Sequence, residues 1–192
     1  MAHRIARLDA APLEWSFMPA ESPNQQHRAA FLDRDGVINR KALEGAHITS
    51  PDEFELLPGA LPGLALLALR GFRLIVVTNQ RAVALRRLSL EGLAAIHAKM
   101  ERLLAAAGLS LDAVYFCPHD RGQCDCRKPA PGLLLQAFRD FPALVPRDCV
   151  LVGDSPSDLE AARRAGVPAV QMPVNGSLED AVRSWLSSRD SA

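Results

Sequence analysis

The chain has 192 residues, 48% of them hydrophobic and 23% charged, with 22 Lys plus Arg against 22 Asp plus Glu and a formal net charge of zero. That length suits one domain with a substantial core, and the neutral balance calls for neither nucleic acid nor an anionic membrane as partner. No apolar run reaches the roughly 18 residues of a membrane span. Residues 1–22 lack the apolar core of a signal peptide, and Asp9, Glu14 and Glu21 argue against an organelle transit peptide. The expected compartment is therefore the cytoplasm, where structural disulfides are disfavoured.

Residues 1–28 show no sustained periodicity and read as an N-terminal extension. Its Trp15, Phe17 and Met18 either dock on the domain or a second subunit, or belong to a partly ordered tail. From residue 29 to 192 the pattern is that of one folded domain. Ala29-Ala30-Phe31-Leu32 is a short apolar strand ending in Asp33, followed by a polar segment over 39–55. Pro58-Gly59 opens a helix to about Arg70. The β-branched run from Phe72 to Val77 is a buried strand ending at Thr78-Asn79-Gln80. Ser89 starts a long helix to about Ala107, closed by Gly108. Asp112–Phe116 is a third strand, and a helix follows Pro131-Gly132. Cys149–Val152 is a fourth strand, ending at Gly153-Asp154; Ser155–Ala165 is a helix stopped by Gly166. Pro168–Gln171 is a fifth strand, and a last helix covers about 178–187. Alternating strands and helices predict an α/β fold, Rossmann-like, with a central parallel sheet covered on both faces. Ligands of such sheets bind beyond the carboxyl ends of the strands, where Asp33, Thr78, Cys117 and Asp154 fall.

In Phe31-Leu32-Asp33-Arg34-Asp35-Gly36-Val37-Ile38-Asn39 two carboxylates stand two residues apart directly after a strand. Like charges so close are unfavourable unless a cation lies between them or one binds a proton. Magnesium prefers hard oxygen ligands and takes only one or two protein carboxylates. Asp154 adds a carboxylate at another strand end, and Asp158 follows one helical turn later. Thr78 offers a hydroxyl and Lys128 an ammonium to a phosphate, and helix N-termini near Ser155 and Thr78 offer backbone donors. Each feature alone has an ordinary alternative: a polar turn, a structural threonine, a surface lysine, a helix cap. Their order at successive strand ends is what makes coincidence improbable.

The segments FLDRDGVIN, VVTNQ, CRKP and VGDSPSDLEAA, spanning residues 31–162, resemble the four motifs of phosphatases of the haloacid-dehalogenase (HAD) superfamily. The resemblance implies that Asp33 attacks phosphorus and becomes an aspartyl-phosphate. It implies that Asp35 protonates the leaving oxygen and then activates water. Thr78, Asn79 and Lys128 would hold the phosphate; Asp33, the Asp35 carbonyl and Asp154 would bind Mg2+; Asp158 would support Lys128 or the metal's water shell. The chemistry agrees, since carboxylates serve as covalent nucleophiles and phosphoryl transfer relies on cations and oriented donors.

Cys117, His119, Cys124 and Cys126 lie within ten residues. Three thiols and an imidazole make a familiar closed, structural zinc set; free thiols or a redox disulfide are the alternatives. A Zn2+ ion here would brace the loop that delivers Arg127 and Lys128. Cys149, on a predicted strand, reads as a buried apolar residue.

The CPH…CDCRKP segment is similar to two branches with a minimal cap, the heptose-bisphosphate phosphatases and the histidinol-phosphate phosphatases. The stretch from Phe54 to Gly59 resembles the heptose branch, and the short gap between His119 and Cys124 the histidinol branch. Carbohydrate metabolism, with a heptose bisphosphate as substrate, is the favoured expectation. Arg127 is either a ligand for a distal substrate group or a plain surface arginine. Three departures stand out: Arg81–Arg87 in place of a small Gly-containing turn, Ala46-His47-Ile48 in place of a Tyr-Val pair, and Ser155 where the heptose branch often has a lysine. The added arginines either meet a more anionic substrate or form a solvated helix face. Other function classes are a phosphotransferase and a non-catalytic zinc-stabilised binding module. The intact set of acids argues against the module, and a small phosphorylated metabolite and a monomeric chain are the expectations for partners.

Overall fold

The structure, a computed structural model, describes residues 3–5 and 27–190. Trp15, Phe17 and Met18 lie outside the described residues. Strands β1 (His3–Ile5), β2 (Ala29–Leu32), β3 (Arg73–Asn79), β4 (Ala113–Cys117), β5 (Val150–Gly153) and β6 (Ala169–Gln171) form one sheet in the order β1-β4-β3-β2-β5-β6. The five strands from β2 to β6 are parallel, as the alternating pattern predicts. β1 is antiparallel to β4, with His3 opposite Phe116. This edge strand lies inside the segment read as an aperiodic extension, because three residues are too few to display a period.

Helices α1 (Ala60–Leu69), α2 (Arg81–Ala84), α3 (Leu90–Ala106), α4 (Gly132–Asp140), α5 (Pro156–Ala165) and α6 (Leu178–Asp190) cover the sheet. Successive strand residues point to opposite faces, and two cores result. Ala30, Leu32, Leu74 and Val76 face α1, α3 and α6, where Leu64, Ile96, Met100 and Val182 meet them. Ala29, Phe31, Ile75 and Val77 face α4 and α5, against Leu133, Leu134 and Ala161. Burying one such side chain stabilises by about 1.5–3 kcal/mol, which explains why the central strands read as continuous apolar runs. Local signals set the helix ends. Ser89 Oγ accepts from the Gly92 N–H at 3.0 Å at the start of α3, and Gly166, with φ 70°, ends α5.

The connection after β2 leads to β3 on one side of it, whereas β5 pairs on the other. β2 therefore sits at the topological switch point, where an open parallel sheet leaves a crevice. Residues 39–56 form the wall of that crevice. Their ends are closed by Arg40 N–H donating to Glu55 O at 2.9 Å and Leu57 N–H to Ile38 O at 3.0 Å.

Helices α1 and α6 touch at Gly63. A Cβ there would lie 2.6 Å from Leu178 Cγ and 2.8 Å from Glu179 N, and the backbone of α6 cannot yield as a side chain would. Gly63→Ala is expected to destabilise the fold by roughly 1–3 kcal/mol, read as a lower urea midpoint; an unchanged midpoint would show that the two helices are not so closely packed.

Candidate active site

Asp33 follows β2 directly, and its N–H donates to Val152 O of β5 at 3.0 Å, so it continues the ladder at the switch point. Its Oδ1 accepts from the Arg34 N–H at 2.8 Å and pairs with Lys128 Nζ at 2.9 Å. Lys128 is buried. Its ammonium also pairs with Asp158 Oδ1 at 2.6 Å and donates to Val77 O at 2.7 Å. Asp158, buried in the first turn of α5, accepts through Oδ2 from Ser155 N–H at 3.1 Å and Ser155 Oγ–H at 2.6 Å, a capping box. Burial raises the Asp33 carboxyl to about 6, against the opposing pull of Lys128. Burial acts the same way on Asp158, but Lys128 and Ser155 outweigh it and hold that carboxyl below the usual range.

Asp154, at the end of β5, is also buried. Its Oδ2 pairs with Lys41 Nζ at 2.7 Å, while Oδ1 is buried with no hydrogen-bond partner. Carboxylate oxygens of Asp33, Asp154 and Asp158 lie within 4.8 Å of one another. Gly36, with φ 93°, brings the chain so close to Asp154 that a Cβ would collide with its carboxylate. An orphaned buried carboxylate oxygen beside a second carboxylate fits a hard divalent cation. Asp33 and Asp154 have the oxygens to hold it; Asp158 is already ion-paired with Lys128 through Oδ1 and accepts from Ser155 through Oδ2.

Asp35 lies in a separate network. Arg34 Nη2 donates to its Oδ1 at 2.9 Å and Oδ2 at 3.0 Å, Asn39 Nδ2 to Oδ1 at 3.0 Å, and Gln80 Nε2 to Oδ2 at 3.0 Å. Burial opposes the charge, but Arg34, Asn39 and Gln80 hold the Asp35 carboxyl below the ordinary carboxylate range. Gln80 Nε2 also donates to Thr78 Oγ1 at 2.9 Å, leaving the threonine hydroxyl hydrogen for another acceptor. Asn79, expected among the phosphate ligands, is engaged differently. Its Nδ2 donates to Lys128 O at 3.0 Å and its Oδ1 accepts from Lys128 N–H at 3.1 Å, so it clamps the lysine's backbone.

Cys117, His119, Cys124 and Cys126 converge from the end of β4 and the loop after it. Sγ of Cys117 and Cys124 are 3.5 Å apart, Sγ of Cys124 and Cys126 3.2 Å, and His119 Nδ1 is 3.3 Å from Cys126 Sγ and 3.6 Å from Cys117 Sγ. A tetrahedral ion with bonds of about 2.3 Å to sulfur asks for similar edges. All four cysteines are free thiols, so the structure contains no redox disulfide at these positions. Cys149 is buried on the strand edge, as an apolar residue would be.

Asp33, Asp35, Thr78, Asn79, Arg127, Lys128 and Asp154 line one cavity of about 380 Å³, walled on the outer side by residues 41–48. Three partners have no counterpart in the reading from sequence. Arg34 looks like a solvated charge between two acids, yet it is fully buried. Lys41 gave no signal at all. His97 interrupts the apolar stripe Leu93, Ile96, Met100, Leu104 of α3, and its Nε2 lies 3.1 Å from Arg34 Nη1. A guanidinium only donates, so Nε2 accepts and the proton sits on Nδ1.

Residues 5–166 match the family model of haloacid dehalogenase-like hydrolases. The chain belongs to that family. It is 42% identical over 140 residues to the D-glycero-alpha-D-manno-heptose-1,7-bisphosphate 7-phosphatase of Mycobacterium bovis, covering 72% of this chain and 73% of the relative. Over 141 residues it is 43% identical to the D-glycero-beta-D-manno-heptose-1,7-bisphosphate 7-phosphatase of Bordetella bronchiseptica, covering 71% and 75%. The crystal structure of the D,D-heptose 1,7-bisphosphate phosphatase from B. bronchiseptica, complexed with magnesium and phosphate, superposes with a TM-score of 0.74 at 32% identity, over 84% of this chain and 99% of that one.

Burial, then Arg34, lowers the His97 pKa from 6.5 to about 3. The unfolded chain binds this proton below pH 6.5 and the folded one does not until about pH 3, so stability is complete above that window and falls as pH drops through it. At pH 5 the loss from this residue is about 2 kcal/mol. His97→Gln, which keeps an acceptor for Arg34, is expected to lose that much less stability than the parent between pH 7 and pH 5 in urea unfolding. Parallel pH curves would place the imidazole in solvent.

Proposed function

We propose that the chain is a magnesium-dependent phosphatase that removes one phosphate from a small phosphorylated metabolite, a heptose bisphosphate, through an aspartyl-phosphate on Asp33. The observation that carries this reading is the pairing of Asp33 with buried Lys128 at 2.9 Å, beside the unpartnered oxygen of Asp154. It supplies a nucleophile, a cation for the phosphoryl oxygens and a vacant metal ligand in one place. The heptose-bisphosphate relatives supply the substrate class and favour that branch over histidinol phosphate.

Asp33 attacks phosphorus in line with the leaving oxygen. Lys128 and the hydroxyl of Thr78 bind the phosphoryl oxygens, on which charge accumulates in the transition state. Asp33, the Asp35 carbonyl and Asp154 would hold Mg2+, which when bound would neutralise phosphoryl charge and favour the ionised nucleophile. Asp35 gives a proton to the sugar oxygen as the phosphorus–oxygen bond breaks. It then takes one from the water that hydrolyses the aspartyl-phosphate and releases inorganic phosphate. The resting carboxylate, held by Arg34, suits the second half; the first half requires it to take up a proton beforehand. Asp158 orients Lys128, and Asn79 holds the backbone that carries it.

Zn2+ bound by Cys117, His119, Cys124 and Cys126 would be structural, since four protein ligands leave no open position. It would set the loop that ends in Arg127 and Lys128. Among the described residues no helix is long and apolar enough to cross a membrane. The reading takes residues 29–192, joined at the sheet edge by β1, as one catalytic domain, working as a monomer in the cytoplasm, where such thiols stay reduced.

Both anomers of heptose 1,7-bisphosphate, incubated with the protein and Mg2+, are expected to release inorganic phosphate, and Asp33→Asn to reduce the rate on the order of 10³-fold or more. Equal rates in parent and variant would remove Asp33 from the chemistry, and phosphate appearing on an acceptor instead of in solution would make the chain a phosphotransferase. Protein purified without added metal is expected to carry about one Zn2+ per chain; a folded, zinc-free protein would refute the structural ion.

A further inference from the structure

His97 is the polar member of the inward stripe of α3, buried like Leu93, Ile96, Met100 and Leu104 around it. Its ring meets Phe116 of β4 edge-on, with centroids 6.0 Å apart. Its Nδ1 is buried with no hydrogen-bond partner among the described residues. A leucine at this place would bury no unpaired N–H, so packing alone does not call for an imidazole. What the imidazole adds is Nε2, which accepts from Arg34 Nη1 at 3.1 Å.

The other side-chain hydrogen bonds of Arg34 go to Asp35: Nε to Oδ1 at 3.2 Å, and Nη2 to Oδ1 at 2.9 Å and Oδ2 at 3.0 Å. A guanidinium is planar and its donors form a rigid fork, so fixing Nη1 on α3 fixes the angle at which Nη2 meets the carboxylate. The acceptor on α3 is neutral, because burial and then Arg34 hold the His97 pKa down at about 3. A carboxylate at that place would share the charge of Arg34 with Asp35; the imidazole directs the fork and leaves the charge undivided. Asp35 Oδ1 accepts from Nε, Nη2 and Asn39 Nδ2, whereas Oδ2 accepts from Nη2 and Gln80 Nε2. Gln80 Nε2 also reaches Thr78 Oγ1, which lines the cavity. Oδ2 is thus the less engaged oxygen and the one on the side of the expected phosphate ligand.

We propose that His97 is a positioning residue, which acts through Arg34 to aim Asp35 Oδ2 at the oxygen that leaves phosphorus. This rests on the phosphatase reading and deepens it. As the bond from Asp33 to phosphorus forms and the phosphorus–oxygen bond to the sugar breaks, the proton on Oδ2 passes to the leaving oxygen. A carboxyl that is turned away does not deliver it.

Leaving groups separate aim from packing. Acetyl phosphate and 4-nitrophenyl phosphate release weakly basic anions that need no proton, whereas a sugar oxygen needs one. The measure is kcat/KM, which reports the steps up to the aspartyl-phosphate. His97→Leu is expected to lose about 10²-fold on heptose 1,7-bisphosphate and less than about threefold on the two activated esters. His97→Gln, which restores an acceptor for Nη1, is expected to stay within about fivefold of the parent on all three. Should His97→Leu not fold, Arg34→Lys, which keeps the buried charge and loses the fork, takes its place with the same split expected. Equal losses on the sugar and the activated esters, or no loss on the sugar, would mark a packing residue and overturn the role. Where the parent turns over neither activated ester, the sugar alone decides: a glutamine variant near the parent upholds the role, and one as slow as the leucine variant overturns it. A parent inactive on all three compounds removes the phosphatase reading and this role with it, whereas an active parent with equal losses removes the role alone.

Discussion

A buried ammonium between two buried carboxylates organises this molecule. Lys128 can lie out of water only because Asp33 and Asp158 flank it and Val77 O accepts a hydrogen bond from it. Breaking such a group on one side leaves an uncompensated charge and costs about 3–5 kcal/mol, so each partner constrains the others. Asp33 ends β2, Val77 lies on β3, Lys128 follows the Cys/His loop, and Asp158 opens α5. Four chain segments are thereby brought to the switch point of the sheet by one charge. Asn79 fixes the lysine's backbone and Ser155 fixes Asp158, so the neighbours of the triad are neutral groups that add direction without adding charge. With Asp154 included, the carboxylates outnumber the buried cation, which is the electrostatic reason the site calls for a metal.

A second buried cation, Arg34, does the same for Asp35. The guanidinium takes the carboxylate on one side and His97 on the other, and His97 remains neutral because burial and Arg34 both oppose its protonation. The two aspartates of the DRD segment thus sit two residues apart with separate counter-charges: Lys128 for Asp33, the proposed nucleophile, and Arg34 for Asp35, the proposed acid–base residue. Repulsion between them is small because each is paired before it meets the other. The same separation explains why their carboxyls are shifted in opposite directions although desolvation pushes both upward.

Much of this was legible in the sequence. The apolar runs that end at Asp33, Thr78, Cys117 and Asp154 are buried on both faces, so their hydrophobicity is continuous and their carboxyl ends are well marked. The order of the acids, the threonine and the lysine along those ends reads as one site. What stayed hidden depends on pairing across the chain. β1 is too short to carry a period and exists by pairing with β4. Arg34 is a charged residue among charges, and only its own burial against His97 of α3 shows that it is internal. Asn79 has the chemistry of a phosphate ligand, but a segment 49 positions away takes its amide. Local sequence records what a residue can donate or accept; it does not record which partner arrives first.

Lys41 extends the same point to the metal site. Where the heptose branch often has a lysine next to the metal aspartate, this chain has Ser155, and Ser155 caps α5 instead. The cation beside Asp154 comes from the cavity wall, with Lys41 Nζ at 2.7 Å from Oδ2. The lysine is held in place through its backbone: its N–H donates to Asn175 Oδ1 at 2.7 Å, and the Asn175 N–H donates to Gly36 O at 3.0 Å in the turn after Asp35. Asn175 adopts φ 57°, a conformation that asparagine tolerates better than most residues, and this turns its side chain and N–H toward two different segments. The outer wall of the cavity is therefore tied at its start to Asp154 and to the loop that follows Asp33. A cation bound at Asp154 would alter the charge facing Lys41, and so would act on the residues that follow it toward His47. In the proposed reading the wall and the phosphoryl site thus share one set of supports.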